Sequence, residues 1–206
     1  MMAENVLQKK FDLTARQLER MRSMQYAYHQ KFFNWLLILL LLLVFLGVWG
    51  GTVGRLILPF LVVTGGVLAS FYLHFCDFAR VHATALEKKL NHLLGSEELL
   101  GGTIESMYFY PIDSPKLSGW VPSKPFRFFS AFTLHWSVLW FAVWVLGAWI
   151  GYNQLNNPYH LVYLIGLVIW SSANAIYLAY YFLNANDLRN VSSYLNRTFN
   201  LEPAAS

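Results

Sequence analysis

The chain has 206 residues, of which 56% are hydrophobic and only 13% charged, about half the charged share of a soluble domain. Its 15 Lys and Arg against 11 Asp and Glu give a net charge of +4, but much of the excess lies beside the first apolar run. The composition therefore speaks against nucleic acid as a partner and for anionic lipid. A lone cysteine, Cys76, excludes an intramolecular disulfide and any cysteine-rich metal site.

Residues 1–31 carry six bases, Lys9, Lys10, Arg16, Arg20, Arg22 and Lys31, against Glu4, Asp12 and Glu19. Thr14 followed by Gln17 has capping-box spacing, which predicts a basic helix starting there and feeding the next segment. Residues 32–54 are then 23 positions without a charge, enough for a first span at 32–50. After a turn at Gly50, Gly51 and Gly54, the 21 uncharged residues 56–76 form a second span, with Pro59 in its first turn. So short a connection makes residues 32–76 an antiparallel hairpin. Gly65, Gly66, Ala69 and Ser70 offer small side chains for close helix packing.

The second span continues without Pro or Gly up to Gly95, so it is expected to leave the bilayer as a charged stalk helix. Phe71, Phe75, Phe78, Val81, Ala85, Leu86, Leu90 and Leu93 recur at helical spacing on one face, and Asp77, Arg80, Thr84, Glu87 and Asn91 on another. Gly95 is placed to end that helix, and Ser96 with Glu97 and Glu98 to cap a short second one. Pro111, Pro115, Pro122 and Pro125 forbid a long helix in the rest of the 77–127 segment, where alternation suggests a short strand around 103–112.

From residue 128 to 186 no side chain is formally charged, and Asn, Gln and Pro concentrate at 152–158. This predicts a second hairpin over 128–183, with a third span at 129–150 and a fourth at 159–183. The tail, residues 184–206, is polar, with a helical turn expected around 188–199. The expected fold is thus an all-α integral membrane protein of four transmembrane helices in two antiparallel hairpins, the second span extended into a cytoplasmic stalk. Basic residues concentrate in residues 1–31 and 77–127, which places both termini and the central segment in the cytoplasm, and the general plan is that of a small bacterial inner-membrane protein.

Four groups are candidates for chemistry. His74 and Asp77 lie three apart at the inner end of the second span, with Cys76, Arg80 and His82 beside them, and suit coupling or interfacial anchoring. His135 lies two turns into the third span. Ser171, Ser172 and Asn174 sit near the middle of the fourth, as interhelical hydrogen-bonding groups or as a pore lining. Trp136, Trp140 and Trp144 repeat every four residues, as a packing stripe.

No GxSxG, HExxH or phosphate-binding glycine loop occurs, and no intramembrane carboxylate pair. Neither catalysis, a cofactor nor a metal is expected. The pattern suggests a homo-oligomeric ion channel or pore-forming membrane effector. The alternative is a non-conducting scaffold or sensor subunit that anchors a cytoplasmic protein partner through its stalk.

Overall fold

Every regular element of the computed structural model is a helix, and no strand occurs among the described residues, which are 2–102, 104, 128–181 and 188–201. Helix α1 runs Met2–Trp49, 48 residues with no Pro and its one Gly at Gly47. The capping box at Thr14 is not a helix start. Residues 2–13 are good helix formers and extend the helix backward, so Thr14 lies inside it and its Oγ1 donates to the Lys10 carbonyl at 2.8 Å.

The chain reverses at two glycines. Gly50 donates to the Leu46 carbonyl at 3.0 Å, and a Cβ on Gly50 would stand 2.5 Å from that oxygen. Gly51 has φ +59°, a left-handed conformation that glycine adopts at little cost. Helix α2 then runs Gly51–Leu94 for 44 residues and ends at Gly95, φ 68°, whose N–H is bonded to the Asn91 carbonyl. Because α2 begins at Gly51, Pro59 falls in its third turn rather than its first.

The two long helices pack antiparallel, with Leu39 beside Gly65, Tyr28 beside Phe75 and Arg22 beside Glu87. A Cβ on Gly65 would meet Leu39 Cδ2 at 2.0 Å, so α1 comes as near as it does because that position has no side chain. Leu39, Leu43, Leu58 and Val62 form one buried cluster, and Phe32, Leu36 and Ala69 another. Further along α2, Cys76, Ala79 and Ala83 are buried at helical spacing from these.

Helix α3 is Phe128–Tyr152, 25 residues. A 3₁₀ turn at Asn157–Tyr159, opened by Pro158, leads into α4, His160–Tyr180. Helix α5 is Leu188–Thr198. Both α3 and α4 pack on α2 but hardly on each other, and α4 has a single fully buried side chain, Leu167. Helix α5 lays Leu195 on Val81 and Ala85, with Val191 and Phe199 at the edge and Lys89 Nζ 4.4 Å from the Phe199 ring. Every other long helix is thus held by α2.

Among the described residues, three helices, α1, α2 and α4 with its preceding turn, are long and apolar enough to cross a membrane. The regular structure of the described residues is all helical, and its apolar helices are compatible with an integral membrane protein. The strand expected around 103–112 falls outside the described residues except at Ile104, whose N–H donates to the Leu100 carbonyl at 2.9 Å as in a helical turn.

The contrast between two glycines is testable. Gly65→Val drives a branched side chain into Leu39 and should cost about 1–3 kcal/mol. A Cβ on Gly166 would have nothing within 4 Å, so Gly166→Ala should cost nothing. Thermal unfolding in detergent, followed by circular dichroism, checks both.

Candidate functional site

The polar face of α2 is not its solvated side. Ser70, His74, Asp77, Arg80, Thr84 and Glu87, spaced by three or four, are 1 to 6% exposed and form a buried line along the helix. Two of these six satisfy themselves within the helix, Ser70 Oγ donating to the Gly66 carbonyl at 2.8 Å and Thr84 Oγ1 to the Arg80 carbonyl at 3.0 Å. Asp77 and Arg80 form the ion pair expected from their spacing, with Arg80 Nε 3.5 Å from Asp77 Oδ1. His74 stands edge-on to Tyr181, ring centroids 5.9 Å apart, and Tyr181 packs in turn on Phe71 at 4.9 Å. The lower end of α4 therefore meets α2 at His74.

Glu87 closes the line at the other end. Its carboxylate accepts Arg22 Nη2 from α1 on one oxygen and the Gly102 backbone N–H on the other. Arg22 also donates to Gln25 Oε1 at 2.9 Å. One buried carboxylate thus ties three separate stretches of chain, and the glycine is required there: a Cβ on Gly102 would stand 2.5 Å from Thr84 Oγ1. Asn91, one turn beyond Glu87, exchanges two hydrogen bonds of 2.9 Å with the backbone of Leu99, donating from Nδ2 and accepting on Oδ1. That clamp, rather than a cap at Ser96, returns residues 96–102 to the helix. His82 lies on the flank of the line against Phe78, and burial lowers its imidazole below the usual histidine range.

A second group of polar residues faces a cavity of about 430 Å³ between α2, α3 and α4. Ser171 and Asn174 line it with Gly66, Trp140 and Trp144. Trp140 Nε1 donates to the Val62 carbonyl at 3.1 Å, a reach that Gly66 permits, since a Cβ there would sit 2.7 Å from the indole nitrogen. Asn174 Nδ2 donates to the Trp170 carbonyl at 2.9 Å. Trp144 Nε1 and Ser171 Oγ are enclosed without a hydrogen-bond partner among the described residues. Ser172 points away, exposed on the outer side of α4.

The structure therefore brings His74 and Asp77 into one buried line and Ser171 and Asn174 to one cavity, and it leaves Ser172 outside both. Gly65 meets α1, Gly66 meets α3, and Ala69 and Ser70 are buried beside them. The side chains of His135 and Trp136 lie outside the described residues. Among the described residues no cluster of three metal-ligating side chains occurs.

Arg55 makes a structural contact that composition alone does not flag. Its Nε donates to the Gly47 carbonyl at 3.1 Å and its Nη1 to Gln154 Oε1 at 3.4 Å, so it joins the α1–α2 turn to the α3–α4 turn. Its isolation in a charge-free stretch was the available signal. Compared with known proteins, the chain matches no family model, no curated protein and no solved structure.

Replacing Glu87 with Gln keeps its shape and removes the charge that holds Arg22, so Glu87→Gln and Arg22→Gln should each lower stability by about 1.5–3 kcal/mol. The double variant should lose less than the sum of the two, and additive losses in a double-mutant cycle would show that the contact contributes nothing.

His82 gives a pH-dependent prediction. Its lowered pKa means that, as pH falls through the ordinary histidine value near 6.5, the unfolded chain binds a proton that the folded chain resists. Stability present at pH 7.5 is then partly lost by pH 5. In His82→Leu that loss should shrink, as read from melting temperatures at the two pH values.

Proposed function

We propose that this chain is a multi-pass membrane protein of four spans with both termini in the cytoplasm, and that it assembles with itself into an ion channel or pore-forming effector. In this reading the apolar part of α2 is the second span, its charged part the stalk, and α3 and α4 the second hairpin. The observation that carries it is the line from Ser70 to Glu87, buried polar and ionisable groups on one unbroken helix that passes from an apolar half to a charged one. Ser70 and His74 fall in the second span, while Asp77, Arg80 and Glu87 continue the line into the stalk, where buried charges that must keep their partners couple the stalk to the span.

The two long helices support the same reading mechanically. Helices α1 and α2 have no break between the apolar halves and the region tied by Glu87, so a displacement of the stalk is delivered to the spans. Helix α4, held by one flank only, is the element most free to respond. Ser172 on its exposed side, and the small bore of four helices, favour a pathway formed between copies rather than within one. The basic residues of α1, among them exposed Lys9, Lys10, Arg16 and Arg20, supply the charge that favours anionic lipid and the cytoplasmic side.

The scaffold reading is favoured by a different feature. Residues 188–199 dock an amphipathic helix against the stalk and residues 96–102 fold onto its end, a built platform for a cytoplasmic protein.

Purified protein in planar bilayers tests the proposal. Conductance steps are expected, with Asp77→Asn changing unit conductance or gating while the oligomer mass in nanodiscs stays constant. A silent bilayer with a 23.8 kDa monomer in every nanodisc would overturn the channel and leave the scaffold.

A further inference from the structure

The cavity between α2, α3 and α4 has a chemistry of its own. It is walled by Val62, Val63, Val67, Phe141, Ala175 and Leu178 together with the two indoles. Its polar neighbours have little to offer a visitor. The Trp140 N–H is bonded to the Val62 carbonyl and the Asn174 amide to the Trp170 carbonyl, while Trp144 Nε1 and Ser171 Oγ, without a partner among the described residues, are uncharged and buried beneath the surface of the space. No Lys, Arg, Asp or Glu lies in residues 56–76 or 128–186, from which the whole lining comes. A hydrated ion or a charged headgroup would lose its solvation there with nothing in exchange.

Position and size narrow the occupant further. Because α3 and α4 each rest on α2 and barely on one another, the space is the gap between two splayed helices of a membrane protein. On α4 its lining runs from the midpoint, at Ser171, to Leu178 near the C-terminal end, so in the membrane reading it extends from mid-bilayer toward one interface. At about 430 Å³ it is roughly three times the ~150 Å³ apolar cavity known to hold benzene, room for a length of chain rather than one ring. We infer that this gap is a binding site for an acyl chain of a bilayer lipid, seated between α3 and α4 against the Trp140–Trp144 stripe. The chain supplies to α4 the apolar packing that α3 does not. This inference rests on the membrane reading above but not on conduction.

The test uses the full-length protein in nanodiscs containing a phospholipid with a diazirine near the end of one acyl chain. After irradiation, adducts are mapped by peptide mass spectrometry. Enrichment is expected on Trp140, Trp144 and Ala175 over the outward α1 residues Leu37, Ile38 and Leu41, which are 58 to 62% exposed at Leu37, Ile38 and Leu41 and serve as the reference for ordinary lipid contact. Ala175→Trp, at an exposed position, fills the gap and should abolish the enrichment, and Val67→Phe should do so from the α2 side. Circular dichroism and gel filtration establish that each variant is folded. Adducts on the α1 reference but not above it in the gap, or enrichment untouched by both variants, overturn the site while leaving membrane insertion intact. Absence of adducts everywhere overturns both.

Discussion

The structure depends on how closely α1 and α3 can approach α2, and two adjacent glycines set that distance. Gly65 admits Leu39, and the Trp35 indole donates to its bare carbonyl at 3.2 Å. Gly66, about 100° further round the helix, admits Trp140 to the Val62 carbonyl. Packing in a membrane draws little on the hydrophobic effect, because lipid is as apolar as leucine, so short distances and hydrogen bonds must hold the helices together. A side chain at either position would separate one neighbour and leave an indole N–H facing hydrocarbon.

From that seam outward the role of α2 changes with its surroundings. Where its neighbours are apolar, small residues and Leu–Val clusters bury it. Beyond Cys76 a buried ion pair, Asp77 with Arg80, and the Glu87 junction take over. Such groups are more exacting than apolar ones, since a carboxylate removed from water must keep its partners or lose several kcal/mol. They stabilise one arrangement and penalise near misses, which in the proposed reading suits a helix whose two halves move as one body. A continuous helix with polar contacts along its length transmits displacement; a hinge at the membrane edge would absorb it.

The opposite holds for α4. It contributes one buried side chain, a tyrosine hydroxyl to the Leu56 carbonyl at 3.2 Å, and the ring contacts of Tyr177 and Tyr181 with Phe71. Elements with few buried contacts are the first to move. The protein therefore combines a rigid pair of long helices with one lightly attached helix, and the lipid-filled gap beside it is the natural place for the surroundings to act on its position.

Much of this was legible in the residues themselves. Charge-free runs, the glycine pair at 50 and 51, Gly95 as a helix end, the break before Pro158 and the helical turn around 188–199 are local features, decided by propensity and hydropathy within a few residues. The start of α1 was misread, because a capping-box pattern at Thr14 also occurs inside helices and nothing upstream forbids continuation. What the residues could not show is that both stripes of the charged part of α2 are inside, Val81, Ala85, Leu86 and Leu90 as well as Asp77, Arg80, Thr84 and Glu87. The periodicity displayed an apolar stripe and a polar stripe, and ordinary reasoning puts the polar one in water. Only the arrival of Arg22 from 65 positions away, and of Gly102 from a returning loop, encloses Glu87 at the end of the polar stripe and satisfies its carboxylate. Ser171, Ser172 and Asn174 were equivalent in sequence for the same reason: helical spacing fixes their angles relative to one another, but the side on which α2 lies, and so which of them face a cavity, is a fact of tertiary packing alone.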